Sequence, residues 1–217
     1  MIKIDLHTHS VFSVDGSISE EYYTQLLKDK TLNTIAITDH DEVAFALEMH
    51  NIHKENIIVG QEITTKQGEI IGLFLEKKIE PHQDIKQTIK DIKKQDGLVY
   101  IPHPFETVRS GITKATLETI KDEVDIVEAH NGRAVFQDKG PEATTWARLN
   151  NKVIASSSDA HGPAGIGTSY TVVKEQPTKE TLVSLLKMAR LETNRPPILS
   201  LLYPKYNRLR VKLKLNK

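Results

Sequence analysis

Short apolar runs alternate with stretches of helically spaced apolar residues along this chain. Residues 2–6, 34–38, 57–63, 69–75, 98–101, 126–128 and 153–157 have the length and composition of strands, and 170–173 offers one more. Residues 66–68, Lys-Gln-Gly, read as a hairpin turn between two of them. Ser17 with Glu20 fits a capping box that opens a helix to about residue 30. Further helices are expected over 41–51, 83–95, 114–123, 142–150 and 178–191; Ile85, Ile89 and Ile92 carry the helical spacing of the second of these, and Gly97 stops it. This mostly alternating order predicts a mainly parallel sheet covered by helices. Roughly seven strands in this length suit one small closed, TIM-like barrel better than two domains. An open doubly wound sheet is the alternative, but no Gly-x-Gly-x-x-Gly turn follows the first strand.

The 217 residues carry 29 basic and 29 acidic side chains, so no overall field favours nucleic acid or a membrane. Aromatic residues, at 6%, are too few for a stacking track along a long nucleic acid. With no cysteine, disulfides and thiolate metal sites are excluded, and any metal must be held by imidazole and carboxylate. No apolar leader precedes Met-Ile-Lys-Ile-Asp, and no apolar run is long enough to span a bilayer, so a cytoplasmic protein is expected. The expected division is one domain over 1–194 and a basic tail over 195–217, which holds seven Lys/Arg and no Asp or Glu. In that tail Leu209, Val211, Leu213 and Leu215 alternate with Arg210, Lys212 and Lys214, which is strand spacing and suggests an added edge strand. The tail reads as a solvated segment or as a contact for an anionic substrate, RNA or a membrane surface.

Polar residues recur at one point of each unit. Asp5-Leu-His7-Thr-His9 ends the first strand, Thr38-Asp39-His40-Asp41 the second and Gly60-Gln-Glu62 the third. Pro102-His103-Pro104, Glu128-Ala-His130-Asn131 and Ser158-Asp159-Ala-His161 end later ones. In parallel α/β folds the carboxyl ends of the strands share one rim, where active sites form. An extended His7-x-His9 points both imidazoles to one side, and Asp159-x-His161 repeats the device. Imidazole plus carboxylate suits Zn²⁺, Mn²⁺ or Fe²⁺ better than Ca²⁺. The candidates exceed one ion's need, so two or three divalent ions are expected, with Glu62 able to bridge two of them. Asp15 follows closely enough to be a ligand, and His82 is a further candidate. His50, His53 and Glu69 read as solvent-facing or structural.

The ordered set Asp5-Leu-His7-Thr-His9-Ser10, Thr38-Asp39-His40-Asp41, Gly60-Gln-Glu62, His103-Pro104 and Ser158-Asp159-Ala-His161 resembles the PHP family, the polymerase and histidinol phosphatase domain, over residues 1 to about 170. The resemblance implies a distorted seven-stranded β/α barrel with two or three metals. It implies that His7, His9, Glu62 and Asp159 hold one ion, that Glu62 bridges to a second on His103, and that Asp15, His40 and His161 hold a third. The family's second site takes another histidine between Glu62 and His103, for which only His82 is available here. Members often have histidine where Asp15 stands, and a carboxylate there favours Mn²⁺ or Fe²⁺ over Zn²⁺. The stretch Val127-Glu128-Ala-His130-Asn131-Gly-Arg133 is similar to small stand-alone members, in which the Asn131 and Arg133 positions face the substrate. A planar guanidinium suits phosphate. Arg109, in the loop after His103, is a second candidate.

The expected reaction is hydrolysis of a phosphomonoester of a small metabolite or nucleotide, such as a nucleoside bisphosphate, by a metal-bridging hydroxide, with Asp159, His161 and Arg133 at the reacting centre. A monomer with a small phosphorylated substrate is the working picture. Two rivals stand beside it. An amidohydrolase-type C–N hydrolase also uses His-x-His and a late Asp, but a bridging lysine in place of Glu62 would mark it. A metal-binding regulatory module without turnover would show several lost ligands.

Overall fold

Isoleucine and valine dominate the runs that become strands, as their branched side chains suit a sheet packed on both faces. The computed structural model describes residues 1–135 and 137–213. Its strands are β1 (Ile2–Thr8), β2 (Thr34–Ile37), β3 (Ile57–Thr65), β4 (Gly68–Leu73), β5 (Leu98–Ile101), β6 (Ile126–Asn131), β7 (Val153–Ser157), β8 (Ser169–Val173) and β9 (Arg190–Thr193). They form one curled sheet in the order β7-β6-β5-β4-β3-β2-β1-β8-β9. β1, β2 and β3 are parallel, as are β5, β6 and β7, and β4 runs antiparallel between the two groups. Beyond β7 the chain returns to β1: Asp159 N donates to His7 O at 2.9 Å, and His9 N donates to Ala160 O at 2.9 Å. The sheet is thereby nearly closed into a barrel.

The observed count is nine strands among the described residues, not the expected seven. β8 adds antiparallel to the outer side of β1, and β9 pairs with β8. β9 lies partly within the expected 178–191 helix, of which only α6 (Leu182–Leu186) forms.

The remaining helices are α1 (Glu20–Lys28), α2 (Ala44–His53), α3 (Ile85–Lys94), α4 (Lys114–Ile120), α5 (Gly140–Leu149) and α7 (Tyr203–Lys212). One apolar cluster joins Ile35, Ile37, Ile57 and Val59 of the strands to Tyr23, Phe45, Ile89, Leu117 and Trp146 of the covering helices. A second fills the barrel, with Ile4, Ala36, Ile58, Tyr100, Ile126 and Val153, and takes Leu182, Leu185 and Leu186 from α6. α3 shows what holds such a helix. Asp84 caps it by accepting from Lys86 N, and Ile85, Ile89 and Ile92 are buried. Each buried isoleucine is worth roughly 1.5–3 kcal/mol over exposure, well above the few tenths that propensity supplies per residue.

Local starts differ from expectation in two places. Ser19, not Ser17, caps α1 by accepting from Tyr22 N, while Ser17 Oγ donates to His161 O at 2.9 Å. The tail does not form an edge strand: residues 203–212 are the helix α7. Leu209, Val211 and Leu213 are largely exposed, so their alternation reflects no sheet face; Leu215 lies outside the described residues.

Candidate metal centre

β1 delivers the first two imidazoles. Ile4 and Leu6 belong to the barrel interior. The register of β1 against β2 then shifts between Asp5 and Thr8. Within and just past that shift His7 and His9 point to one place, their Nε2 atoms 3.1 Å apart. Glu62, from β3, meets three strand ends at once: Oε2 lies 3.2 Å from His7 Nε2 and 3.3 Å from both His9 Nε2 and His40 Nδ1, and Oε1 lies 3.0 Å from His103 Nε2. Asp159 Oδ1 is 3.4 Å from His9 Nε2 and 3.4 Å from His161 Nδ1. Asp15, in the turn after β1, reaches His161 Nε2 at 3.4 Å and His40 Nε2 at 3.6 Å. His103 and Asp159 hold left-handed backbone angles, φ 27° and 51°. A non-glycine residue accepts that strain only where its surroundings over-determine it, which is common where side chains must be aimed.

Of the sequence candidates, His7, His9, Asp15, His40, Glu62, His103, Asp159 and His161 converge here. His82 does not. It is exposed on a bend, and among the described residues it joins no group of potential ligands. Glu69, read from sequence as structural, takes that place: its carboxylate lies 3.9 Å from both His40 Nδ1 and His103 Nε2. The signal for it was the hairpin register. β3 and β4 pair Thr65 with Gly68, so Glu69 faces Thr64, two residues from Glu62 and on the same side.

Glu128 is the other residue missed. It takes Tyr100 Oη at 2.9 Å, His103 N at 2.7 Å and Asn131 Nδ2 at 2.8 Å, and lies 3.1 Å from His7 Nδ1. A carboxylate on the far nitrogen of a ligand histidine fixes its tautomer and aim. Asn131 also donates to Asp159 Oδ2 at 3.1 Å, so it orients that carboxylate. Arg109 is engaged throughout: NH1 donates to Asn131 Oδ1 and Asp159 Oδ2, both at 2.6 Å, and Nε and NH2 donate to Glu106. It props Asp159 and has no free fork for a substrate. Arg133 lies open to the cavity, NH1 3.3 Å from His161 Nδ1 and 3.5 Å from Asp159 Oδ1. His130, His50 and His53 stand elsewhere, against Ser169 Oγ, Ile57 O and Thr24 Oγ1.

The donor set fits divalent ions. Four groups of side chains place ligand atoms within 4.8 Å of one another: His9, Asp15, His40 and His161; His7, Glu62 and His103; His7, His9 and Asp159; and His40, Glu62 and Glu69. Ligands about 2.1 Å from a tetrahedral ion lie about 3.4 Å apart, close to the separations seen. His161 Nε2, His9 Nδ1 and His103 Nδ1 are buried without a hydrogen-bond partner. Burying Asp15, Glu62 and Asp159 together demands compensating positive charge.

The electrostatics show where that charge is needed. Burial opposes protonation of His9, yet Asp159 and Glu62 raise its pKa to about 9. His7 is likewise raised against burial, by Asp159, Glu62 and Glu128. Burial, then the charges of Glu62 and Asp159, push Glu69 up to about 8. Glu62 and Asp159 themselves are held well below the usual carboxylate range: burial raises them, but His40 and His7 outweigh it for Glu62, and His7 and Arg133 for Asp159. Protons therefore occupy the positions that cations would take. His161 and His40 are the exceptions: burial, His9 and Arg133 lower His161 to about 3, and burial lowers His40, leaving neutral imidazoles ready to ligate.

These groups floor a cavity of about 200 Å³, also lined by Val108, Ser110, Pro204 and Arg208. That is room for a phosphoryl group and a few further atoms. No helix among the described residues is long and apolar enough to cross a membrane.

Comparison with known proteins extends this picture. The PHP domain pattern matches residues 5–161, and a PHP-associated pattern matches residues 141–191. Two uncharacterised proteins of Methanocaldococcus jannaschii are similar. MJ1587 is 32% identical over 143 residues, covering 60% of this chain and 84% of its own. MJ0417 is 29% identical over 180 residues, covering 80% and 71%. Among solved structures, the fold matches a two-domain protein from Bacteroides vulgatus containing a predicted PHP-like metal-dependent phosphoesterase. The TM-score is 0.70 at 22% identity, over 95% of this chain and 69% of that one.

Proposed function

This chain belongs to the PHP domain family, and from that premise we propose that it hydrolyses a phosphomonoester of a small metabolite or nucleotide with the help of two or three divalent ions, Mn²⁺, Fe²⁺ or Zn²⁺. The observation that carries the reading is the meeting of eight ligand candidates, with Glu69, at and beneath the floor of a small cavity that Arg133 also lines. In this reading the domain over 1–194 holds the ions, and the basic segment over 195–217 contributes α7 beside the cavity.

His7, His9 and Asp159 would hold one ion; Glu62, His103 and Glu69 would hold a second; Asp15, His40 and His161 would hold a third. Bound divalent cations supply Lewis-acid stabilisation of phosphoryl oxygens and bring the pKa of water toward about 7. The residues do the rest. Arg109 and Asn131 fix the rotamer of Asp159, and Glu128 fixes His7. Arg133, beside Asp159 and His161, neutralises charge on the phosphoryl oxygens. The nucleophile is water. The chain has no cysteine, and the serine hydroxyls beside the cluster are spent on carboxylates: Ser13 Oγ donates to Asp15 Oδ1 at 3.0 Å, and Ser10 Oγ donates to Asp39.

No lysine lines the cavity among the described residues, and Glu62 stands at its centre. Both facts favour phosphoester over C–N hydrolysis. The full ligand set disfavours a module without turnover. The test is phosphate release from a panel of phosphomonoesters by protein loaded with Mn²⁺. Release should stop with chelator and fall by about 10³-fold or more in Asp159→Asn and His7→Ala. Metal-loaded wild type that cleaves amides but no phosphoester, or that turns over neither, overturns the proposal.

A further inference from the structure

The third arginine of the cavity comes from the C-terminal segment. Arg208 lines the cavity from α7, and its NH2 donates to Asp15 Oδ2 at 2.6 Å. Its side chain is 61% exposed, so it stands at the open edge of the cavity. The helix does not lie there loosely. Asn207 is buried, and its Nδ2 donates to Asp15 O at 2.8 Å and His161 O at 3.4 Å. Tyr203 lays its ring against Gly162. Pro204 is buried and lines the same cavity. A solvated tail has no use for a buried asparagine spent on the carbonyls of two candidate metal ligands. These contacts place the residue next to Asn207, which is Arg208, at the cavity mouth.

The three arginines are not equivalent. Arg109 spends its donors on Glu106, Asn131 and Asp159. Arg133 stands at His161, with Nε buried and without a partner. Arg208 stands at Asp15, and Asp15 lies 3.4 Å from His161. Arg133 and Arg208 thus bracket the group His9, Asp15, His40 and His161 from two sides. With a divalent ion held in that group, Asp15 would have its charge met there and Arg208 would keep donors for an anion at the cavity mouth.

We propose that Arg208 is a substrate-binding residue, which with Arg133 grips the oxygens of the substrate's terminal phosphate dianion, so that the C-terminal helix is part of the active site. The inference rests on the phosphoesterase reading above. Two guanidinium groups beside bound cations attract a dianion more strongly than the single charge of a diester, so the substrate class it names is the phosphomonoester.

The test is calorimetric binding of inorganic phosphate to Mn²⁺-loaded protein, with metal content measured on the same samples. Arg208→Ala should weaken phosphate binding by about 10- to 100-fold, the worth of one or two charge-assisted hydrogen bonds. Arg208→Lys, which keeps charge but loses the fork, should fall between it and wild type. Lys205→Ala removes an exposed charge from the same helix and should bind as wild type does. With p-nitrophenyl phosphate, Arg208→Ala should raise KM more than it lowers kcat. Unchanged phosphate affinity in Arg208→Ala, or no phosphate binding by wild type, overturns the proposal. So does a loss of affinity that tracks a loss of metal, which would make Arg208 a positioning residue for Asp15. The parent reading fails separately, if wild type binds phosphate through Arg208 yet hydrolyses no phosphomonoester.

Discussion

Glu69 shares a strand face with Glu62 because the turn at 66–67 pairs Thr65 with Gly68. Between His40 and His103 it supplies an oxygen where the family resemblance calls for nitrogen. Metal analysis after gel filtration should therefore show Glu69→Gln losing its most weakly held ion, whereas His82→Ala keeps the wild-type content. An ion lost from the His82 variant alone would refute that assignment. The ligands legible in the sequence were those whose type and strand-end position coincide, such as His7, Glu62 and Asp159. Glu69 was hidden because Thr64, Thr65, Lys66 and Gln67 around it look like a solvated hairpin. The partners of Arg109 and Asn131 were hidden for a different reason. A sequence shows that a donor is near the rim, not that Glu106 and Asp159 have already claimed it.

At the scale of elements, apolar periodicity located β1 to β7 and most helices because burial imposes it. It failed over 209–213, where the apolar side chains are exposed and their spacing answers to nothing. There the proline near the start of α7 and the docking of Asn207 decide the conformation. That docking has a weak point. A Cβ on Gly162 would fall 2.6–2.7 Å from three atoms of the Tyr203 ring. Gly162→Ala should push the ring aside and loosen α7 while the barrel stays folded. Limited trypsin digestion reads this directly, since Lys205, Arg208, Arg210 and Lys212 lie on the helix. Cleavage there should be several-fold faster than in wild type, with the circular dichroism of the barrel unchanged. Equal cleavage rates would mean that Tyr203 contributes little to holding the helix.

For the molecule as a whole, the cluster sets how stability responds to pH and metal. In the metal-free protein Asp5, raised by burial to about 7, Glu69 at about 8 and His9 at about 9 bind protons more tightly than their ordinary values of 3.8, 4.5 and 6.5 allow. Stability from such groups is complete below the unfolded values and is lost as pH rises through the folded ones. His161 and His40 are shifted downward. Their contribution is already complete above about pH 7 and does not change in this window. Thermal melts in chelator should therefore show Tm falling between pH 7 and 9. Added Mn²⁺, which replaces those protons and binds better as they leave, should abolish or reverse the fall. A Tm that climbs with pH in chelator would contradict the charge arrangement. The hydrogen bonds from Asp159 to His7 and from His9 to Ala160 carry a last consequence. They join two stretches about 150 residues apart in sequence, so the candidate ligand set is complete only once His161 has been made. Under the proposed metal-dependent reading, an ion that needs the whole set would be chosen by the folded cage and not by histidines exposed one at a time.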